Sequence, residues 1–338
     1  MNRSNFVICV RNTEKKANGD PRFGNEPGAT RYLEVPDGQT PHPEIHKKSR
    51  TEWLTNLMQC ASLGTHDENS KSAVAGFTYG DILVFVHGYN NSMDDVMQRH
   101  NLLQDRLAEQ GYQGAIVSFD WPSASAALNY LEDRADAKTT AHKLVKDGIE
   151  ILAKNQLQQD KNKCDIDVHI LGHSTGAYVV REAFYEASQR RSLARINWQV
   201  SQVVFIGGDI ARQSLSHSDS KSQALFRHAT RITNYQNPFD SALKVSNVKR
   251  LGIAPRIGRV GIPDDAPDNI VNVHVGKHWR QLNEANSRCG GNWSHSWYFD
   301  DARFSEDLYH TLCGDIDRNA IPSRSFQAGE LELVAKPN

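Results

Sequence analysis

Residues 166–176 read Ile166-Asp167-Val168-His169-Ile170-Leu171-Gly172-His173-Ser174-Thr175-Gly176. A largely apolar run leads straight into a serine flanked at two-residue spacing by glycines, and a helix-forming run over 177–186 follows at once. A turn this tight from strand to helix leaves no room for side chains at the flanking positions, hence the glycines, and it lifts the serine hydroxyl clear of the sheet. The helix that follows directs its N-terminus toward negative charge developing beside the serine. Ser174 is therefore the candidate nucleophile.

Further apolar runs bounded by turn residues lie at 81–86, 115–119, 203–206 and 232–235. Like 166–171, each is short and continuous, as a strand buried on both faces should be. Helix-length segments at 94–110, 126–158, 176–190 and 239–247 separate them. Strand alternating with helix predicts a mostly parallel central sheet flanked by helices on both faces, and with the serine elbow this is the α/β-hydrolase fold. Additional strands are expected at 6–11, 270–275 and, as edge elements, at 31–35 and 330–334. The whole chain, 1–338, reads as a single domain with its core at about 75–315. The Gly-, Pro- and Asn-rich region 12–75 reads as irregular with a short hairpin, 249–294 as a loop insertion beside the active site, and 315–338 as a solvated C-terminal extension.

Composition narrows the class. Hydrophobic residues make up 38% of the chain and charged residues 23%, with a formal net charge of -1. This is a globular profile with no electrostatic footprint for nucleic acid. No run approaches the roughly 20 apolar residues needed to cross a bilayer, and the N-terminus has no signal-peptide pattern, so the expected location is cytoplasmic with no integral membrane segment. Five scattered cysteines, Cys9, Cys60, Cys164, Cys289 and Cys313, read as reduced thiols; Cys289 and Cys313 would pair only in an exported protein. Asn-x-Ser triplets at Asn2, Asn90 and Asn292 carry no weight without a secretory signal.

An oxyanion hole needs two backbone donors, one from the residue after the nucleophile, Thr175, and one from a loop at the end of an earlier strand. His87-Gly88-Tyr89-Asn90 closes the run 81–86, making Tyr89 the second candidate and His87 an organiser of the loops around it. The triad acid should follow the serine and the histidine should come last. Asp240 lies just past the run 232–235 where a loop enters a helix, and is favoured; Asp209, in Gly207-Gly208-Asp209, is the alternative acid. Of the later histidines, His295 sits between a glycine-rich loop and a C-terminal helix, where an imidazole can reach over the strand ends. His274 falls within a strand, His278 four residues on, and His310 on the helix. A metal pair of His274 and His278 would need helical spacing in what reads as strand, so no metal is expected. His87, Trp121, His173 and Trp293 are candidates to line the pocket. The dense aromatics Trp279, Trp293, Trp297, Tyr298 and Phe299 are read as an acyl or aryl site or as ordinary packing.

With these residues in view, the sequence resembles the bacterial α/β-hydrolase family of unknown function 900, lipase-like or esterase-like serine hydrolases. The resemblance is carried by Phe85-Val86-His87-Gly88-Tyr89-Asn90, Phe119-Asp120-Trp121-Pro122-Ser123 with Tyr130 and Asp133, the elbow, Asp240-Ser241-Ala242-Leu243 and His295-Ser296, spanning about 81–312. It implies a triad of Ser174, Asp240 and His295. Gly207-Gly208-Asp209 departs from the family, which often has a proline before that aspartate, and the stretch 249–291 is longer than the family leads one to expect. The expected activity is hydrolysis of a small-molecule ester or acyl substrate through an acyl-enzyme, with no cofactor. The alternatives are an acyltransferase or amidase using the same groups, or a catalytically silent binding module. Oligomeric state is not readable.

Overall fold

The computed structural model describes residues 4–62, 78–123, 132–156, 164–194, 196–249 and 254–335. Its strands are β1 (Ser4–Lys15), β2 (Pro21–Pro36), β3 (Lys47–Lys48), β4 (Thr78–Val86), β5 (Ala115–Asp120), β6 (Cys164–His173), β7 (Val200–Ile206), β8 (Ala229–Gln236), β9 (Ile270–His274), β10 (Arg324–Gln327) and β11 (Glu330–Leu333). They form one sheet in the order β10-β11-β9-β8-β7-β6-β4-β5-β1-β2-β3. Every neighbouring pair from β11 across to β1 is parallel, and only the hairpins at the two edges are antiparallel.

The apolar runs make this sheet because successive side chains leave on opposite faces and both faces are covered. Along β4, Ile82, Val84 and Val86 enter one core and Leu83 and Phe85 the other. Helices α1 (Arg50–Ser62), α3 (Glu132–Leu144), α4 (Glu150–Gln156) and α5 (Thr175–Gln189) accompany the first core, α3 passing into α4 through a π-helical turn at Val145–Ile149. The second core is closed by α2 (Met93–Glu109) and by α7 (Ala302–Cys313). Between them in sequence, α6 (Ser241–Lys249) leaves the carboxyl end of β8.

Three sequence readings need revision. The region 12–75 is not irregular where it is described: β1 runs on to Lys15, β2 pairs with it in a long hairpin, and α1 follows. The outer half of that hairpin is solvent-exposed, so it lacks apolar alternation, while α1 buries only Trp53, Leu57 and Ala61, one residue per turn. The segment 249–294 is a loop only in part, holding β9 and short helices at Ile257–Val260 and Gly276–Trp279. The tail after 315 is not solvated throughout, because Arg324 of β10 is fully buried against Asp307 of α7, Nη2 to Oδ1 2.7 Å. Part of the helix expected at 126–158 lies outside the described residues, as does Tyr130. Cys9, Cys60, Cys289 and Cys313 are not in disulfides among the described residues. No helix among the described residues is long and apolar enough to cross a membrane.

Candidate active site

The elbow takes its shape from its glycines. A β-carbon on Gly176 would fall 2.1 Å from the Val86 carbonyl oxygen, so α5 can cross β4 this closely only with glycine there. Between β6 and α5, Ser174 has φ 56° and ψ -126°, a conformation side chains rarely adopt. The turn is pinned by backbone: Ser174 N–H donates to the Ile206 carbonyl at 3.1 Å, and the Ser174 carbonyl accepts from Asp209 N–H at 3.0 Å.

His295 comes from the short helix Trp293–Ser296, ahead of α7. Its Nδ1 lies 2.6 Å from Asp240 Oδ2, and Asp240 is completely buried. The other carboxylate oxygen accepts from Leu243 N–H at 2.9 Å in the first turn of α6, which favours negative charge at that position. Side chains lock the two loops together, with Asn237 Nδ2 donating to the Ser294 carbonyl at 3.0 Å and Ser241 N–H to Ser294 Oγ at 2.9 Å. The third loop of the group passes beneath: a β-carbon on Gly207 would come 2.9 Å from His295 Nδ1 and 3.4 Å from Asp240 Oδ2. Asp209, the alternative acid, is tied instead to Arg256, its Oδ1 3.0 Å from Nε, although it lines the same cavity as Ser174.

Ser174 and His295 line one cavity of about 450 Å³, together with Tyr89, Thr175, His173 and Arg99. Gly88 brings the 87–91 loop against Ser174, since a β-carbon there would sit 2.5 Å from Ser174 Cβ. His173 Nε2 donates to the His295 carbonyl at 3.0 Å, and the two rings stand 4.6 Å apart. Burial, with His295 and Arg99 adding to it, holds the His173 pKa well below that of an ordinary imidazole, so His173 stays neutral.

A family match covers the elbow and the acid loop together: the model for alpha/beta hydrolases of unknown function (DUF900) matches residues 67–292. The chain belongs to this family. The DUF900 match takes in Ser174 and Asp240 and stops just short of His295. No curated protein matches the chain in sequence. Among solved structures, a protein from Agrobacterium vitis S4 assigned as a hydrolase is 12% identical, with 70% of this chain and 88% of that chain covered and a TM-score of 0.35. The phospholipase PlaB of Legionella pneumophila, in complex with thio-NAD, is 15% identical over 62% of this chain and 41% of that one, at a TM-score of 0.26. A cutinase-like protein from Cryptococcus sp. is 14% identical over 69% and 92%, at 0.32.

Three pocket candidates in this DUF900 chain do not line the cavity. His87 is fully buried behind the 87–91 loop: Nδ1–H donates to the Gly88 carbonyl at 2.8 Å, and Nε2 accepts from Trp121 N–H at 3.0 Å. Trp121 stacks on that imidazole at 5.4 Å and donates its indole N–H to the His87 carbonyl at 2.9 Å, so both residues wall the loop from within. Trp293 packs half-buried against the second core, where Trp297, Tyr298 and Phe299 are wholly buried; that cluster is packing and not an aryl pocket.

Sequence reasoning missed the support beneath the 87–91 loop. Arg11, from β1, places Nε 2.8 and 2.9 Å from the two oxygens of Asp120 and donates from Nη2 to the Asn91 carbonyl at 2.7 Å. Asn91 in turn donates from Nδ2 to the carbonyls of Gly88 and Tyr89 at 2.8 and 2.9 Å, and its N–H donates to Ser123 Oγ at 3.1 Å. Burial works against ionisation of Asp120, but Arg11, His87 and Cys9 together outweigh it and hold that carboxyl below the usual range. An arginine directly after the apolar run 6–10 and an aspartate closing 115–119 were the available clues. Ligand atoms of His274, Glu330 and Glu332 gather within 4.8 Å at the β9–β11 edge and are the described group that could hold a cation, although Lys277 Nζ already sits 2.8 Å from Glu332 Oε1.

Proposed function

We propose that this chain is a serine hydrolase that cleaves carboxylic esters through an acyl-enzyme on Ser174. The observation that carries the reading is the 2.6 Å contact of His295 Nδ1 with buried Asp240, in a chain whose left-handed Ser174 shares a cavity with that histidine. With Asp240 holding Nδ1–H, the Nε2 of His295 takes the proton of Ser174 as Oγ attacks the ester carbonyl. The N–H groups of Tyr89 and Thr175 receive the oxyanion. The imidazolium returns its proton to the leaving alcohol, and water, activated by the same imidazole, releases the acid. Every group that the protein contributes to these steps is a side chain or backbone amide.

The test is labelling with a fluorophosphonate probe and mass mapping of the modified peptide, in wild type, Ser174→Ala and His295→Ala. Modification of Ser174 that both substitutions abolish is the expected result. A folded wild type that takes no label overturns the reading and leaves a binding module on a hydrolase fold. An imidazole base also requires a rate that depends on pH; a rate flat from about pH 5 to 9 counts against it.

A further inference from the structure

Arg99 stands in the active-site cavity with no carboxylate of the described residues in ion-pair contact, Asp95 acting on it only at longer range. It projects from α2, is 8% exposed, and lines the same cavity as Ser174. Its guanidinium carbon lies 5.3 Å from the centroid of the Phe299 ring, and Nη1 is buried without a hydrogen-bond partner. Nη2 lies at the cavity wall: a β-carbon on Gly291 would meet it at 3.4 Å and Ser296 Oγ at 3.5 Å, and both of those residues line the cavity.

The groups facing Arg99 do not supply the missing charge. Cys289 adjoins it, but burial pushes that thiol up, so it stays protonated. Asp95, one turn earlier on α2, is engaged by the N–H and hydroxyl of Ser92. Asp209 belongs to Arg256, Asp240 to His295, and Asp300 to Arg106 and Arg288. His173 is neutral. A guanidinium cannot shed its proton, and a buried cation whose contacts are an aromatic ring and a thiol, with no ion pair, is costly to the folded chain. An anion delivered by the substrate would answer it, through the planar fork that suits carboxylate and phosphate.

We infer that Arg99 is the counter-ion for an anionic group of the substrate, so that the ester presented to Ser174 carries a second, negatively charged oxygen group, a carboxylate or a phosphate. This rests on the hydrolase reading, and a cavity of about 450 Å³ is within the range that small-molecule ligands occupy.

Two matched esters test it: mono-4-nitrophenyl glutarate and 4-nitrophenyl pentanoate, equal in acyl length and differing in the terminal carboxylate. In wild type the anionic ester is expected to have the higher kcat/KM. Arg99→Gln is expected to lower the ratio of the two by about 10- to 100-fold, the worth of a hydrogen bond to a charged group, and Arg99→Lys by less. Calorimetric titration of Ser174→Ala with glutarate and with inorganic phosphate reads the same site without turnover. Binding of either that disappears in Ser174→Ala/Arg99→Gln supports the assignment, and the tighter of the two names the group. A ratio unmoved by Arg99→Gln, with neither anion bound, overturns it. If fluorophosphonate fails to label the wild type, the hydrolase reading falls, while the titration still decides for or against Arg99. Should Arg99→Gln fail to fold by far-UV circular dichroism, Arg99→Lys decides, since anion binding and an ester ratio both unchanged by loss of the fork would overturn the role.

Discussion

Asp240 and Asp209 follow neighbouring strands, and substituting them should do different things. Asp240→Asn leaves the shape of the loop but offers His295 an amide in place of a carboxylate, which, on the proposed triad, should cost about 10⁴-fold in kcat. Asp209→Asn strands the buried Arg256 and should appear chiefly as lost stability, about 3–5 kcal/mol by urea denaturation, with a far smaller fall in kcat. Equal kcat losses in the two variants would assign the acid wrongly. That Asp240 meets His295, and that His295 shares a cavity with Ser174, was legible because each sits where a strand ends, beside glycine or at a helix entry, whereas His87, Trp121 and Trp293 do not line the cavity they were expected to line. Arg99 was not, because its position on α2 says nothing of the cavity: that depends on the loop 289–296 arriving from nearly two hundred residues away.

The ties between elements lend themselves to a double-mutant cycle. Arg11 of β1 and Asp120 of β5 are a fully buried pair, and removing one partner leaves an uncompensated charge. Arg11→Met should therefore cost about 3–5 kcal/mol, and Arg11→Met/Asp120→Asn less than the sum of the two single changes. Arg11→Met should also slow labelling of Ser174, because Arg11 holds the Asn91 carbonyl and Asn91 holds Gly88 and Tyr89. Strictly additive losses, with unchanged labelling, would mean that β1 supports the sheet and not the loop. The central strands were readable because burial on both faces leaves unbroken apolar runs. The hairpin of β1 and β2 was half-readable for the opposite reason: its outer end, where Glu14 pairs with Arg22 and Lys15 with Pro21, is largely exposed and carries no pattern.

At the scale of the molecule, buried carboxylates set the response to acid. Asp120 and Asp307 are each opposed by burial yet held below the ordinary carboxylate range, chiefly by Arg11 and Arg324 respectively. A depressed folded pKa means stability that is fully present above the unfolded value, about 3.9, and is lost as pH falls through the folded one. Tm should stay level from neutral pH to about 5 on this account and drop steeply below 4. Asp307→Asn should lower Tm at pH 7 and make that acid limb shallower; an acid limb as steep as wild type's would place the titrating groups elsewhere. The α/β-hydrolase architecture was legible from the order of strands and helices. The closing of the far edge was not, since an arginine at 324 in a polar tail reads as surface until Asp307, Tyr235 and Thr311 are seen around it.

That far edge has a consequence for how the chain is made. β9 is finished at His274, yet its outer neighbour β11 begins only at Glu330. Synthesis at about 5–20 residues per second leaves an interval of roughly 3–12 s in which the emerging protein shows an open strand edge beside the aromatic run 297–299. A ribosome stalled between those two points holds a sheet ready to pair with another nascent chain, so slow translation over 275–330 should favour aggregates, and a chaperone that shields strand edges should suppress them.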